Sequence, residues 1–423
     1  MIDNMKIGVI GLGYVGLPVS VLFSTKYQVI GFDINKKRVE SLNKFIDSTL
    51  EISKIKLKNA LKSNLTITNN SSDLRSCNFY VVTVPTPILK NKTPDLTPLK
   101  NASRIVGSQL KNGNIVVYES TVYPGCTEEI CVPILEKESS LKFNKEFFCG
   151  YSPERINPGD KEHTIDKIVK VTSGSTGKSA TLVDKVYDSV IRAGTYKVSS
   201  IRIAEAAKVI ENSQRDINIA FVNELAMIFD KLEIDTTEVL KAASTKWNFL
   251  QFKPGLVGGH CIGVDPYYLA SRAIEKGFNP EIILAGRKVN DGMGIFIADK
   301  ILQKLTYFGK NPSDSSVLVL GVTFKENCPD FRNTKVVDMV RVLIENSVKA
   351  DIYDPWVTPD LFKKEYKLDV FNKLPDKKYD SIILAVSHES FAEIDLKKLS
   401  IDSKTIIYDI KSFYNKDKTT ERL

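Results

Sequence analysis

Histidine and tryptophan are scarce in this chain, with three and two copies in 423 residues. The six cysteines, Cys77, Cys126, Cys131, Cys149, Cys261 and Cys328, form no C-x-x-C pair, and no histidine stands at zinc-finger spacing. A zinc-finger or thioredoxin-like redox role is therefore excluded, and no metal site is expected. No apolar run approaches the roughly 20 residues of a membrane span, so no membrane insertion is expected. The basic residues are not gathered into a stripe interleaved with aromatics, which argues against nucleic acid as a partner. The opening residues MIDNMKIGVIGLGYVG lack the basic start of a secretion signal, so the expected compartment is the cytoplasm, where thiols stay reduced.

What is present is ordinary in amount and specific in arrangement. Hydrophobic residues make up 43% and charged residues 26%, as in a soluble globular protein, and the net charge of +8 suits a phosphate-bearing ligand without requiring one. The length predicts two to three domains. Short apolar runs at residues 5–11, 27–33, 78–84, 114–119 and 147–151 read as buried strands, with helical patterns such as 97–110 between them. That alternation predicts a parallel sheet covered on both faces. From 201 to 231 no glycine or proline occurs and apolar residues recur at helical spacing, which predicts one long helix. Shorter helical patterns follow at 237–244, 268–276 and 294–305. After a polar linker at 311–316 the alternation restarts, with strands at 317–321, 350–354 and 381–386, a helix at 334–346, and a polar tail at 414–423 expected to fray. The fold class expected is α/β: two Rossmann-like, doubly wound parallel-sheet domains (1–200 and 311–423) joined by a central all-helical domain (201–310) with a long helix.

The segment Gly11-Leu12-Gly13-Tyr14-Val15-Gly16 is a G-x-G-x-x-G stretch placed directly after a strand and opening a helix, and Asp33 closes the next strand. This is the context the dinucleotide fingerprint requires. Gly11 permits the tight turn, Gly13 a close approach of backbone to pyrophosphate, and Gly16 close packing of helix on strand. Asp33 can accept both ribose hydroxyls and would repel a 2′-phosphate, which favours NAD. Arg38 nearby could stack on the adenine.

Loops at the carboxyl ends of strands line a ligand crevice in such sheets. Three qualify: Thr83-Val84-Pro85-Thr86-Pro87, the segment from Glu119 to Gly125 with Thr121 in it, and Tyr151–Arg155. Taken singly, each is adequately explained as a plain turn by proline and glycine. On the long helix Glu205, Lys208, Asn212 and Arg215 fall along one side, either as a solvated stripe or as a face turned to a polar site. GLVGGHCIGVD, residues 255–265, sets Cys261 beside His260 among glycines, with Asp265 four residues on. Two adjacent ligands are too few for zinc. A packing thiol and a nucleophile both remain open.

Seven ordered motifs over nearly the full length resemble the UDP-glucose/GDP-mannose dehydrogenases: GLGYVG (11–16), VPTP (84–87), ESTVYPG (119–125), SPERINPG (152–159), AEAAKVIEN (204–212), GLVGGHCIGVDPYYL (255–269) and TFKENCPDFRNT (323–334). The likeness is greatest to bacterial enzymes acting on UDP-N-acetylglucosamine or UDP-N-acetylgalactosamine for O-antigen or capsule. It implies NAD bound by the first domain, UDP held near the long helix and the second, and a homodimer or dimer-based oligomer built on the central domain. It implies oxidation of a sugar C6 hydroxyl to a carboxylate with two NAD, through a thiohemiacetal and a thioester on Cys261. Lys208 and Asn212 would stabilise oxyanion charge, Asp265 and Thr121 would order the hydrolytic water, and Glu154 would handle protons. Thr83, Pro85, Thr86, Thr121 and Arg332 would join the cofactor contacts. Substrate contacts would come from Glu154, Arg155, Lys208, Asn212, Arg215, Phe249, Leu250, Lys253, Gly255, Gly258, His260, Phe324 and Lys325. One departure matters. Val264 stands where the UDP-glucose branch usually has lysine, and His260 precedes the cysteine. Both features argue for an N-acetylated sugar. UDP-glucose and UDP-N-acetylmannosamine are the alternatives, ahead of a two-electron dehydrogenase or a non-catalytic NAD sensor.

Overall fold

A computed structural model describes residues 4–155, 162–259 and 262–423. The chain divides into two compact units, Met1–Glu211 with Tyr267–Phe278, and Asn212–Pro266 with Asn279–Leu423.

The first unit is built on six parallel strands: β1 (Lys6–Ile10), β2 (Gln28–Phe32), β3 (Leu65–Thr68), β4 (Phe79–Val82), β5 (Asn114–Tyr118) and β6 (Phe147–Tyr151). Their order is β3-β2-β1-β4-β5-β6, with register such as Val9 opposite Gly31 and Val81. This is the doubly wound arrangement, and its switch point lies between β1 and β4, where a crevice opens for a ligand. The strands are apolar on both sides because both faces are covered. In β1, Ile7 and Val9 enter one core and Ile10 the other. Helices α1 (Gly16–Phe23), α2 (Lys36–Asn43), α3 (Lys54–Lys62), α4 (Thr97–Gly107), α5 (Val132–Ser139) and α6 (Gly177–Asp188) supply the cover. A separate two-stranded parallel ribbon pairs β7 (Lys170–Thr172) with β8 (Thr195–Lys197).

Helix α7 runs over Ile201–Lys231, the span its uninterrupted periodicity predicts. Helices α8 (Thr236–Ala243), α9 (Asp265–Glu275) and α10 (Glu281–Tyr307) follow, so the middle of the chain is helical as expected. Helix α10 is far longer than residues 294–305. Its glycines look like breakers in the sequence, but Gly294 serves a close helix contact: a Cβ there would lie 2.9 Å from the Lys335 carbonyl.

The second sheet contains β9 (Ser316–Leu320), β10 (Lys349–Tyr353), β11 (Ser381–Leu384), β12 (Ile406–Asp409) and β13 (Glu421–Arg422), all parallel in the order β10-β9-β11-β12-β13. Helices α11 (Val336–Glu345) and α12 (Pro359–Tyr366) belong to the same unit. The tail does not fray. Arg422 pairs with Asp235, Leu423 is buried, and β13 adds the last strand, where the polar composition hides two anchoring ion pairs.

The two sheets begin in the same way at atomic detail. Gly11 and Gly321 both have positive φ (94° and 87°), and each donates its amide to the end of the neighbouring strand, at Phe32 and Tyr353. Asp33 accepts the Leu12 amide at 2.8 Å, and Asp354 accepts the amides of Val322 and Thr323 at 2.8 and 3.2 Å. Asp354 is fully buried and also meets His388 at 3.1 Å. Asp354→Ala should therefore destabilise the chain by about 2–4 kcal/mol in denaturant titration, because it leaves two buried amides and an imidazole without their acceptor.

Candidate active site

The dinucleotide cradle follows from packing around the glycines. A Cβ on Gly16 would fall 1.7 Å from the Gly11 carbonyl, so only glycine lets α1 start against the turn. A Cβ on Gly13 would meet nothing within 4 Å, leaving open space over the first helical amides, where phosphates bind. Thr83 donates its hydroxyl to the Gly11 carbonyl at 2.7 Å, and Ser120 donates to the Val84 carbonyl at 2.6 Å, tying the two neighbouring loops to the turn. Each Asp33 oxygen accepts one amide, from Leu12 and Asn35, and each keeps a lone pair for a ribose hydroxyl. Arg38 donates to the Leu12 carbonyl at 2.9 Å and pairs with Asp47 at 2.8 Å, so its guanidinium is fixed beside the turn. Tyr14, Val15 and Thr121 are half-buried, Thr86 is buried and Pro85 is exposed. The residues of this turn fit a bound dinucleotide.

The polar side of α7 is buried rather than solvated. Glu205, Lys208 and Asn212 are 0%, 6% and 1% exposed, while Arg215 alone of the four faces solvent. Glu205 accepts the amides of Gly125 at 2.6 Å and Thr127 at 2.9 Å. It thereby caps a π-helical turn, Thr127–Cys131, that runs into α5. Burial pushes the Glu205 carboxyl up to about 7, against the two amides that favour its charged form. Lys208 donates to the backbone carbonyl of Glu154 at 2.8 Å. The Glu154 carboxylate takes the Arg155 amide at 2.7 Å on one oxygen and the buried ammonium of Lys170 on the other. Lys170 reaches Glu119 at 3.0 Å, and the Tyr187 hydroxyl donates to Glu119 as well. Arg155 pairs with Glu211 at 2.7 Å.

In the second unit Asn212 donates to Asp265, and both are buried. The backbone of Gly255 is held by Asn223 of α7 through bonds of 2.7 and 3.1 Å. Gly259, at φ 84°, donates to the Arg332 carbonyl at 3.1 Å, and a Cβ there would come within 2.8 Å of the Phe324 ring. The glycines let this loop lie flat on the segment 324–334. Lys325, Lys335 and Lys411 share a small cleft with Gly258 and Phe324. Burial, with Lys253 adding to it, pulls the Lys411 ammonium below the usual lysine value, while Glu326 opposes. Phe249 is half-buried, and Leu250 and Lys253 are exposed. Arg332 grips Asp330 through two bonds of 2.8 and 2.5 Å. His260 and Cys261 lie outside the described residues, so their expected roles have no geometry to report.

Three domain profiles cover the chain. The UDP-glucose/GDP-mannose dehydrogenase family NAD binding domain matches residues 5–191, its central domain 202–292 and its UDP binding domain 318–416. The chain belongs to the UDP-glucose/GDP-mannose dehydrogenase family. Among its relatives is a UDP-N-acetyl-D-glucosamine 6-dehydrogenase of Pseudomonas aeruginosa, 55% identical over 99% of this chain and 100% of that one. Another of the same description, from Salmonella typhi, is 53% identical over 100% and 99%. Among solved structures, a UDP-D-ManNAc dehydrogenase from Pyrococcus horikoshii superposes with a TM-score of 0.87 at 28% identity, covering 99% of this chain and 98% of that one. As a member of this family the chain carries an NAD-binding domain at its start and a UDP-binding domain at its end.

Several groups around these family motifs were not singled out by sequence reasoning. Lys170 and Tyr187 lie outside every motif. The one available signal for Lys170 was a lysine amid the β-branched run Ile168-Val169-Lys170-Val171-Thr172. Lys411 follows the last apolar strand of the second sheet with no motif around it. Arg287, 1% exposed and paired with Asp216 and Asp291 at 2.5 Å each, sits in the middle of α10, and its guanidinium lies about 4 Å from where a Gly263 Cβ would stand.

Glu205 makes a pH prediction with a defined sign. Its carboxyl keeps a proton in the folded chain up to about pH 7, whereas the unfolded carboxyl releases it near the ordinary value of 4.5. Between those limits stability falls as pH rises, by at most about 1.4 kcal/mol per unit. The thermal midpoint of the wild type should therefore drop relative to that of Glu205→Gln between pH 5 and 7 in paired melts.

Proposed function

We propose that this chain oxidises the C6 hydroxyl of a UDP-N-acetylhexosamine, UDP-N-acetylglucosamine or UDP-N-acetylgalactosamine, to the corresponding uronic acid. The observation that carries it is the dinucleotide cradle in a chain of this family, together with high identity to relatives described as UDP-N-acetyl-D-glucosamine 6-dehydrogenases. Residues 1–200 are assigned to NAD, 201–310 to the catalytic and dimerising centre, and 311–423 to UDP.

NAD, held by the Gly11–Gly16 turn, Asp33, Thr83 and Thr121, supplies the hydride acceptor for each of the two oxidations. The chain's own residues do the rest. Lys208, its ammonium held by the Glu154 carbonyl, stabilises the alkoxide that develops at C6, while the hydroxyl proton passes to the Glu154 carboxylate. The Cys261 thiol adds to the C6 aldehyde and gives a thiohemiacetal, which the second oxidation converts to a thioester. Asp265, kept in place by Asn212, orients the water that cleaves the thioester, and the carboxylate leaves with the thiol regenerated. The covalent link retains the sugar between the two oxidations. Lys325, Lys335 and Lys411 supply positive charge for the diphosphate, and Arg155 with the loop around His260 supplies contacts for the acetamido group.

Further assignments belong with this function. The enzyme works in the cytoplasm in the synthesis of a surface polysaccharide. It pairs through the central helices, since Ile203, Ile210, Phe221 and Ile228 are exposed at helical spacing along α7 and call for a covering surface. No helix among the described residues is long and apolar enough to cross a membrane.

NADH absorbance against UDP-GlcNAc, UDP-GalNAc, UDP-ManNAc, UDP-glucose and GDP-mannose tests the substrate. We expect two NADH per sugar with one of the first two, and a preference for UDP-glucose would sink the assignment. Cys261→Ser should release no uronic acid by chromatography of the products. Acid release at the wild-type rate would remove the thioester from the mechanism.

A further inference from the structure

We propose that Lys170 is a positioning residue for the oxidation, fixing the Glu154 peptide that holds the Lys208 ammonium. The proposal rests on the role given to Lys208 above. Lys170 enters from β7 and is 3% exposed. An ammonium removed from water costs several kcal/mol unless it is well paired, and this one has two carboxylates, Glu119 at 3.0 Å and Glu154. Both carboxylates are themselves buried.

The charged and titratable groups facing Glu154 come from each element around it. Lys170 comes from β7, Glu119 from the end of β5, and Lys208 from α7. Tyr187 of α6 donates to Glu119, and the neighbouring Arg155 is turned to Glu211. The cluster of Glu119, Glu154 and Lys170 therefore carries one net negative charge. Charge balance alone would not require its geometry. Lys170 holds one oxygen of Glu154 and the Arg155 amide holds the other, which stops rotation of the carboxylate and of the peptide beyond it. The carbonyl of Glu154 is left facing Lys208 at 2.8 Å. That bond uses one of the three donors of the ammonium, and the remaining two set the direction in which it can meet a reacting oxygen. A misdirected catalytic group loses rate without losing binding.

Lys170→Met alone leaves two buried carboxylates without their cation and should unfold the chain, so the decisive variant is the double substitution E119Q/K170M. It restores the wild-type net charge of the cluster but not the grip on Glu154. We expect its thermal midpoint to stay within a few degrees of the wild type, its kcat to fall at least about tenfold, and KM for sugar and NAD to move less than about threefold. A second readout needs no turnover: labelling of Lys208 by an acylating reagent, followed by peptide mass spectrometry, should rise several-fold. Wild-type kcat in the folded double variant, or unchanged labelling of Lys208, would overturn the proposal. Failure of the wild type to reduce NAD with any nucleotide sugar would instead overturn the proposed function, and the labelling result would still decide the role of Lys170.

Discussion

Five buried polar side chains on one helix organise the loops of this enzyme. Glu205, Lys208, Asn212, Asp216 and Asn223 follow each other at spacings of three, four or seven residues along α7. Each answers a different partner: the amides of 125 and 127, the carbonyl of 154, Asp265, the pair Arg287 and Asn290, and the backbone of Gly255. A buried polar group must be matched or it costs free energy. Within each unit, this constraint ties the position of these segments to the register of the part of α7 that belongs to it. Within each unit, loops that would otherwise sample many conformations are held to their part of the helix by buried polar pairs, and such placement is what a reaction sensitive to geometry calls for.

The same constraint explains what could be foreseen. The strands β1, β2, β4, β5 and β6 and the whole of α7 were legible because apolar periodicity is a local property. The dinucleotide turn was legible because it is a local motif in a defined context. The polar stripe on α7 was visible too, but its burial was not, because burial depends on partners as far as 80 residues away in the chain. Lys170 shows the limit most clearly. It lies in a three-residue strand of a ribbon that periodicity does not reveal, and its meaning comes only from Glu119 and Glu154. The short estimate for α10 failed for the opposite reason: glycine signals a break locally, whereas here it serves a contact with α11.

The two sheets use one device for two ends. In both, a glycine with positive φ ends the first strand and an aspartate on the next strand receives the amides that follow. In the first, helix α1 begins at once and its amides stay open to phosphate. In the second, α11 begins only at Val336, and the intervening loop packs against Gly258 and Gly259 and carries Lys325. One architecture thus presents helix amides in one half and lysine ammoniums in the other.

Asp33 has a double employment that bears on how this enzyme could change. The carboxylate suited to discriminating one dinucleotide from its phosphorylated counterpart also anchors the Leu12 amide and so the glycine turn itself. Exchanging it for a residue that tolerates the extra phosphate would loosen the glycine turn. Under the coenzyme role proposed for Asp33, coenzyme choice and the integrity of the turn are coupled at one side chain, and a lineage drifting toward the other coenzyme would first need a substitute anchor for that amide.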